Sequence, residues 1–310
     1  MTLSIILTSM LRKPLSIQPI PYQGSKRALA PRICSLFPKG VKTLYEPFAG
    51  SSAVTLFAAA HDLAESFVIG DCYGPLTKLW KLIIENPLEL SERYTELWKA
   101  QFDVGPSHFK DIRTQYNENN DPVFLLYLIA RCVKNAVRFN KEGKFTQSVD
   151  KRRTGMKPDR LSRVVRDVSG LLKGRTIIFH GDFLDCLDGV SEDDLVYMDP
   201  PYHGTTYGAD KRYAAGLERE RLIEGLHYLD EKFIPYILSY DGQVGNKVYG
   251  EPLPSTIKAD RLAIHAGRSS QATISGICAE TIESLYVSRS LKVKQADICR
   301  IQGQQGQLFF

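Results

Sequence analysis

Five short apolar runs, four of them closing on an acid, constrain this chain more than any other feature. They are "VKTLYE", "SFVIGD", "RTIIFHGD", "LVYMD" and "FIPYILSYDG". The apolar residues of "LVYMD", without polar alternation, read as a buried parallel strand, and the other runs as further strands. Helical patterns separate them: one begins near Ser51 or Ser52, another follows Asp71. Strands alternating with helices predict a parallel α/β sheet, whose ligands sit at the carboxyl ends of the strands. The acids cluster at those ends.

The pattern changes between residues 86 and 174. "DPVFLLYLIARCVKNAVRF" reads as helical throughout, and "PDRLSRVVRDVSGLLKG" places apolar residues on one helical face, with Arg160, Arg163 and Arg166 off it and Gly174 closing it. The expected organisation is a sheet domain from 1–85 and 175–310, with 86–174 as a mainly helical insertion. Charge agrees with that division. Between Arg131 and Arg175 there are 14 Lys or Arg against 4 Asp or Glu, a local +10 that leaves −5 for the rest of a +5 chain. Positive excess gathered in one segment favours a polyanion partner over a merely solvated face.

Other classes are disfavoured. No run reaches the ~18 apolar residues of a spanning helix, and the opening "MTLSIILTSMLRKPLSI" lacks the features of a secretory signal. The six cysteines are scattered without a CxxC pair, and the six histidines form no ligand cluster, so reduced thiols in a cytoplasmic protein and no metal are expected.

Two motifs carry chemistry. "YEPFAGSS" is a Gly-containing turn between a strand and a helix, where backbone N–H groups can face a ligand. Asp71 ends the next strand about twenty residues on, the spacing at which a carboxylate takes a ribose. Together they favour a nucleoside-bearing cofactor. The second motif is Asp199-Pro200-Pro201-Tyr202. Asp199 and the Pro200 carbonyl can each accept one hydrogen of an exocyclic amino group, aiming the nitrogen lone pair at an electrophile. The prolines hold φ near −65°, so the acceptors are positioned in advance. Tyr202 offers a face on which an extruded base can stack.

The order of "PYQGSK", "YEPFAGSS", Gly70-Asp71, "HGDF", "MDPPY" and "GRSSQAT" resembles that of the D12-class, Dam-like DNA adenine-N6 methyltransferases over nearly the whole chain. That resemblance implies a Rossmann-like domain, S-adenosylmethionine as donor, double-stranded DNA as substrate and a flipped adenine. It implies Tyr22, Lys26, Glu46, Phe48, Gly50, Asp71, Asp182, Phe183 and Asp199 at the cofactor, with Lys26 at its carboxylate and Asp182 and Phe183 at its adenine. Asp199, Pro200, Pro201 and Tyr202 would be the catalytic set. "NAVRFNKEGKF" resembles a hairpin that lies against DNA in Dam-like enzymes, but the Asn-x-Pro expected beyond it is replaced by "TQSVDKRRTG". Arg138, Asn140, Lys141, Lys144, Arg152, Arg153 and Arg268 are the candidate DNA contacts; arginine suits guanine readout and lysine suits phosphate.

Three alternatives stay open. The same turn serves cytosine N4, protein glutamine methyltransferases use Asn-Pro-Pro-Tyr, and a DNA-binding protein could keep the fold without turnover. Pairing with a restriction endonuclease is a further expectation. The C-terminal "QGQLFF" resembles a sliding-clamp docking peptide, but a sticky disordered tail is the favoured reading.

Overall fold

The structure, a computed structural model, describes residues 16–201, 217–244, 247–249, 251–268 and 280–291. Strands β1 (Val41–Glu46), β2 (Ala64–Asp71), β3 (Thr176–His180), β4 (Leu195–Met198) and β5 (Tyr236–Val244) form the parallel part of one sheet. Strands β7 (Ala259–Arg268) and β8 (Glu280–Ser288) add antiparallel to β5, giving the order β3-β2-β1-β4-β5-β8-β7, while β6 (Lys247–Tyr249) pairs only with β5. The acidic strand ends therefore share one edge. Glu46 and Asp71 end β1 and β2, and Asp199 follows β4.

Nine α-helices complete the described residues: α1 (Ala30–Cys34), α2 (Ala53–Ala60), α3 (Gly74–Glu85), α4 (Pro87–Val104), α5 (His108–Asn119), α6 (Pro122–Arg131), α7 (Pro158–Leu172), α8 (Phe183–Cys186) and α9 (Arg219–Glu231). β4 shows why its run is continuous. Leu195 and Tyr197 join the core under α2, α3 and α7, while Val196 and Met198 join Phe183, Leu222 and Leu226 beneath α8 and α9. A strand covered on both faces has no polar alternation.

The helices of 86–174 share the first of these cores. Leu90 and Tyr94 of α4 and Leu161, Val165, Val168 and Leu172 of α7 belong to the same cluster as Leu44 and Phe67 of the sheet. Ser169 Oγ also donates to the Ile84 carbonyl at 2.6 Å. Arg160, Arg163 and Arg166 are exposed, as the one-sided pattern of α7 requires.

One expectation is corrected. The helical reading of "DPVFLLYLIARCVKNAVRF" holds only for α6, which starts at Pro122 under an Asp121 cap accepting Val123 N–H at 2.8 Å and stops at Arg131. Lys134 and Asn135 then take positive φ, of 60° and 52°. The Asn135 amide donates to the Ile129 carbonyl at 2.8 Å, satisfying the helix end. Beyond it the chain doubles back, with antiparallel bridges Cys132–Val149 and Phe139–Phe145. Pairing between segments, Val133 N–H to the Ser148 carbonyl at 3.0 Å, outweighs local helix preference there.

Candidate active site

The loop after β1 is built to bring backbone close to a ligand. Gly50 and Ser52 both have positive φ, 46° and 43°, and a side chain at Gly50 would meet only the Tyr22 ring, 3.8 Å away. Three bonds fix the loop. Ala49 N–H reaches the Gly70 carbonyl at 2.8 Å, Gly50 N–H reaches Asp71 Oδ2 at 3.3 Å, and Trp80 Nε1–H reaches the Gly50 carbonyl at 3.1 Å. Asp71 Oδ1 also accepts Tyr73 N–H at 2.9 Å. A carboxylate has about four acceptor sites, so two backbone bonds leave it capacity for hydroxyls. Close packing of β2 against α8 explains Gly70, where a Cβ would lie 2.6 Å from Cys186 Sγ.

Burial dominates the electrostatics. Glu46 is 3% exposed and accepts Thr55 N–H at 3.0 Å, in the first turn of α2. Its carboxyl is pushed up to about 8, by desolvation first and by the charge of Asp199 last, against the Thr55 bond. Burial pushes Asp71 up to about 6 against its two backbone bonds. Asp199 also rises to about 6, through burial and the charge of Glu283, held down by Lys26. Of the three, Glu46 keeps its proton at neutral pH, whereas Asp71 and Asp199 are mostly ionised there.

Lys26 lies at the centre of this edge. Its side chain is 8% exposed, and Nζ stands 2.9 Å from Asp199 Oδ1 and 3.3 Å from Glu283 Oε2. The lysine expected at a cofactor carboxylate is therefore on the Asp-Pro-Pro turn. Pro200 is buried and Pro201 half-buried. Tyr202 lies outside the described residues.

Phe48 and Phe183 meet with ring centroids 5.2 Å apart, forming an apolar wall from two loops. Asp182 caps α8 through Leu184 N–H at 3.0 Å, and its Oδ1 also accepts from Arg221 at 3.2 Å. Those two bonds hold the start of α8 beside the Phe48–Phe183 wall.

The basic candidates gather around the hairpin that follows α6. Lys141 and Lys144 are exposed at its tip. Asn140 is occupied: its Oδ1 accepts Glu142 N–H at 3.0 Å and Lys144 N–H at 2.9 Å, shaping the turn. Arg138 is half-buried. Arg152 forms a two-point pair with the buried Asp150, at 3.1 Å for each bond, yet stays 86% exposed; Arg153 joins the same carboxylate at 3.4 Å. The side chain of Arg268 lies outside the described residues.

The hairpin region touches the Tyr22 segment and the turn after β2. Gln23 N–H donates to the Asn135 carbonyl at 3.0 Å, and Tyr73, two residues past Asp71, packs edge-on against Phe139 with ring centroids 4.9 Å apart.

A model of the D12 class N6 adenine-specific DNA methyltransferases matches residues 22–293, from the Tyr22 loop through β8. The chain belongs to that family. Among curated relatives, the retron Ec67 DNA adenine methylase of Escherichia coli is 26% identical over 264 residues, covering 82% of this chain and 88% of the relative. The DNA adenine methylase of Haemophilus influenzae is 23% identical, covering 78% and 86%. The modification methylase LlaI of Lactococcus lactis is 29% identical over 69% of this chain, which spans 34% of that longer protein. The order of motifs in this D12-class chain accounts for the match. Sequence reasoning missed Glu283, Arg221, Trp80 and Asp150. Asp150 could have been noticed as the lone acid in "VDKRR", whereas nothing in "ETIESLYVS" marks Glu283.

Proposed function

We infer that this protein transfers a methyl group from S-adenosylmethionine to N6 of an adenine flipped out of double-stranded DNA. The observation that carries this reading is the Asp199 turn, set at the carboxyl edge of the sheet beside the Gly50 loop, the buried Glu46 and the half-buried Asp71. Those residues suit the donor: three carboxyls within one edge, the buried Lys26 ammonium among them, and a loop whose backbone is open to approach. Bound there, S-adenosylmethionine would supply a methyl on a positively charged sulfur. Asp71 would take the ribose, the Phe48–Phe183 wall the adenine ring, and the Gly50 N–H region the rest of the donor.

Asp199 and the Pro200 carbonyl accept the two amino hydrogens of the target and direct its lone pair. The product nitrogen sheds one proton, and Asp199 is the nearest acceptor. Residues 86–174 serve as the DNA-recognition element, with Lys141, Lys144 and Arg152 as the exposed charges of its hairpin region. Two relatives are named modification methylases, and pairing with a restriction endonuclease fits that company.

The decisive assay incubates the protein with methyl-labelled S-adenosylmethionine and mixed-sequence duplex DNA, then digests to nucleosides. Label in N6-methyladenine is expected. Label in N4-methylcytosine would overturn the base assignment, and DNA without label would overturn the activity.

A further inference from the structure

The Lys26 ammonium is shared by two carboxylates from different parts of the sheet, and only one of them, Asp199, belongs to the Asp-Pro-Pro turn. The other, Glu283, comes from β8, an antiparallel strand beyond β5. Irregularities in both neighbouring strands fix its placement. On β5 the register shifts between Tyr240 and Gly242, opposite Glu283, and Asp241 sits in this bulge with φ of 45°. Asp241 is buried and accepts from Tyr286 Oη at 2.5 Å and from Arg261 at 2.8 Å. A Cβ on Gly242 would lie 2.8 Å from the Ile282 carbonyl, so glycine permits the close approach of the strands. On the other side β7 shifts register between His265 and Gly267, just past the Ile264–Glu283 pair. Bulges re-aim side chains, and here two of them bracket one glutamate.

We propose that Glu283 is a positioning residue for methyl transfer: it anchors the Lys26 ammonium so that Asp199 shares this cation and keeps an oxygen for the target amino group. The inference rests on the activity given above. Lysine has three donors and no fixed fork, so a single carboxylate partner would draw it fully onto Asp199. With Glu283 present, the ammonium is divided between two anions. The trio carries −1 when both acids are ionised, a charge that a sulfonium donor would balance. Without Glu283 the acceptor on the catalytic turn becomes a tight ion pair, a poorer partner for a neutral amine. Among the described residues, the ionisable groups acting on Asp199 are Lys26 before α1, Glu46 on β1, Tyr197 on β4 and Glu283 on β8.

The test compares wild type, Glu283→Gln and Glu283→Asp in single-turnover methylation of a duplex substrate. DNA affinity is measured in parallel. Glu283→Gln should slow methyl transfer about tenfold or more, the effect of removing an anion 3.3 Å from the ammonium, and leave DNA affinity within about twofold. Removing the negative charge should also move the acidic limb of the rate profile to lower pH, because Glu283 raises the Asp199 carboxyl. Glu283→Asp should restore part of the rate. In a Lys26→Ala background, Glu283→Gln should cost little further, because its route is gone. An unmoved acidic limb, or an equal loss in both backgrounds, overturns the proposal. If Glu283→Gln fails to fold, the same limb and rate read from Glu283→Asp decide it. A wild type that puts no methyl on DNA would instead sink the activity, and this inference with it.

Discussion

Replacing Glu46 by Gln should stabilise the ligand-free protein at alkaline pH and do so much less, or not at all, in acid. The folded protein holds the Glu46 proton to about pH 8, whereas an ordinary glutamate releases it near 4.5. Between those values the folded state binds the extra proton, so stability falls as pH rises through the window. The penalty amounts to about 4 kcal/mol at pH 8 and under about 1 kcal/mol at pH 5. Gln keeps the acceptor for Thr55 N–H but buries a new amide donor, a cost of about 1–3 kcal/mol that does not titrate. That cost cancels when the variant is compared with wild type at the two pH values, leaving a difference of roughly 3 to 4 kcal/mol. For a chain of this length it corresponds to roughly 5 °C in Tm. Calorimetric melts of both proteins at pH 5 and pH 8 measure it directly. A Tm difference unchanged between the two pH values would show that Glu46 is already ionised in the fold, and the account of a buried, protonated Glu46 would fail.

Asp199→Ala should abolish methyl transfer while sparing DNA affinity, measured by gel shift and single-turnover rates; loss of binding as the main effect would contradict its assigned role. The wild-type rate should fall as pH drops through about 6, since Asp199 must be ionised to accept an amino hydrogen; a rate flat down to pH 5 would count against it. Arg152→Gln with Arg153→Gln should weaken DNA binding and lower its salt slope by about 0.9 for each phosphate no longer neutralised, with Asp150→Asn added so that no unpaired acid stays buried. An unchanged slope would place the hairpin base away from DNA.

Much of the edge was legible in the residues themselves because parallel strands announce their own ends. A run such as "LVYM" must be buried on both faces, and the acid that follows it marks the exit from the sheet. That reasoning reached Glu46, Asp71 and Asp199, and the hydrogen bond between Gly50 and Asp71 joins the two motifs their spacing linked. Helical periodicity also found α7, because an apolar stripe is a local property. It overran α6 because the residues beyond Arg131 remain compatible with a helix and are drawn out by a partner segment fifteen residues away, Val133 meeting Ser148.

Tertiary structure alone decided what surrounds Lys26. In sequence it stands 173 positions from Asp199 and further from Glu283, and no local pattern couples the three. The order of strands in the sheet brings them together, and bulges on β5 and β7 frame Glu283 beside the ammonium. Burial then changes the chemistry of the carboxyls of Glu46, Asp71 and Asp199, an effect of low-dielectric surroundings that no single residue carries. A chain can state which groups it owns; only the folded core sets their distances, and with those distances their charges.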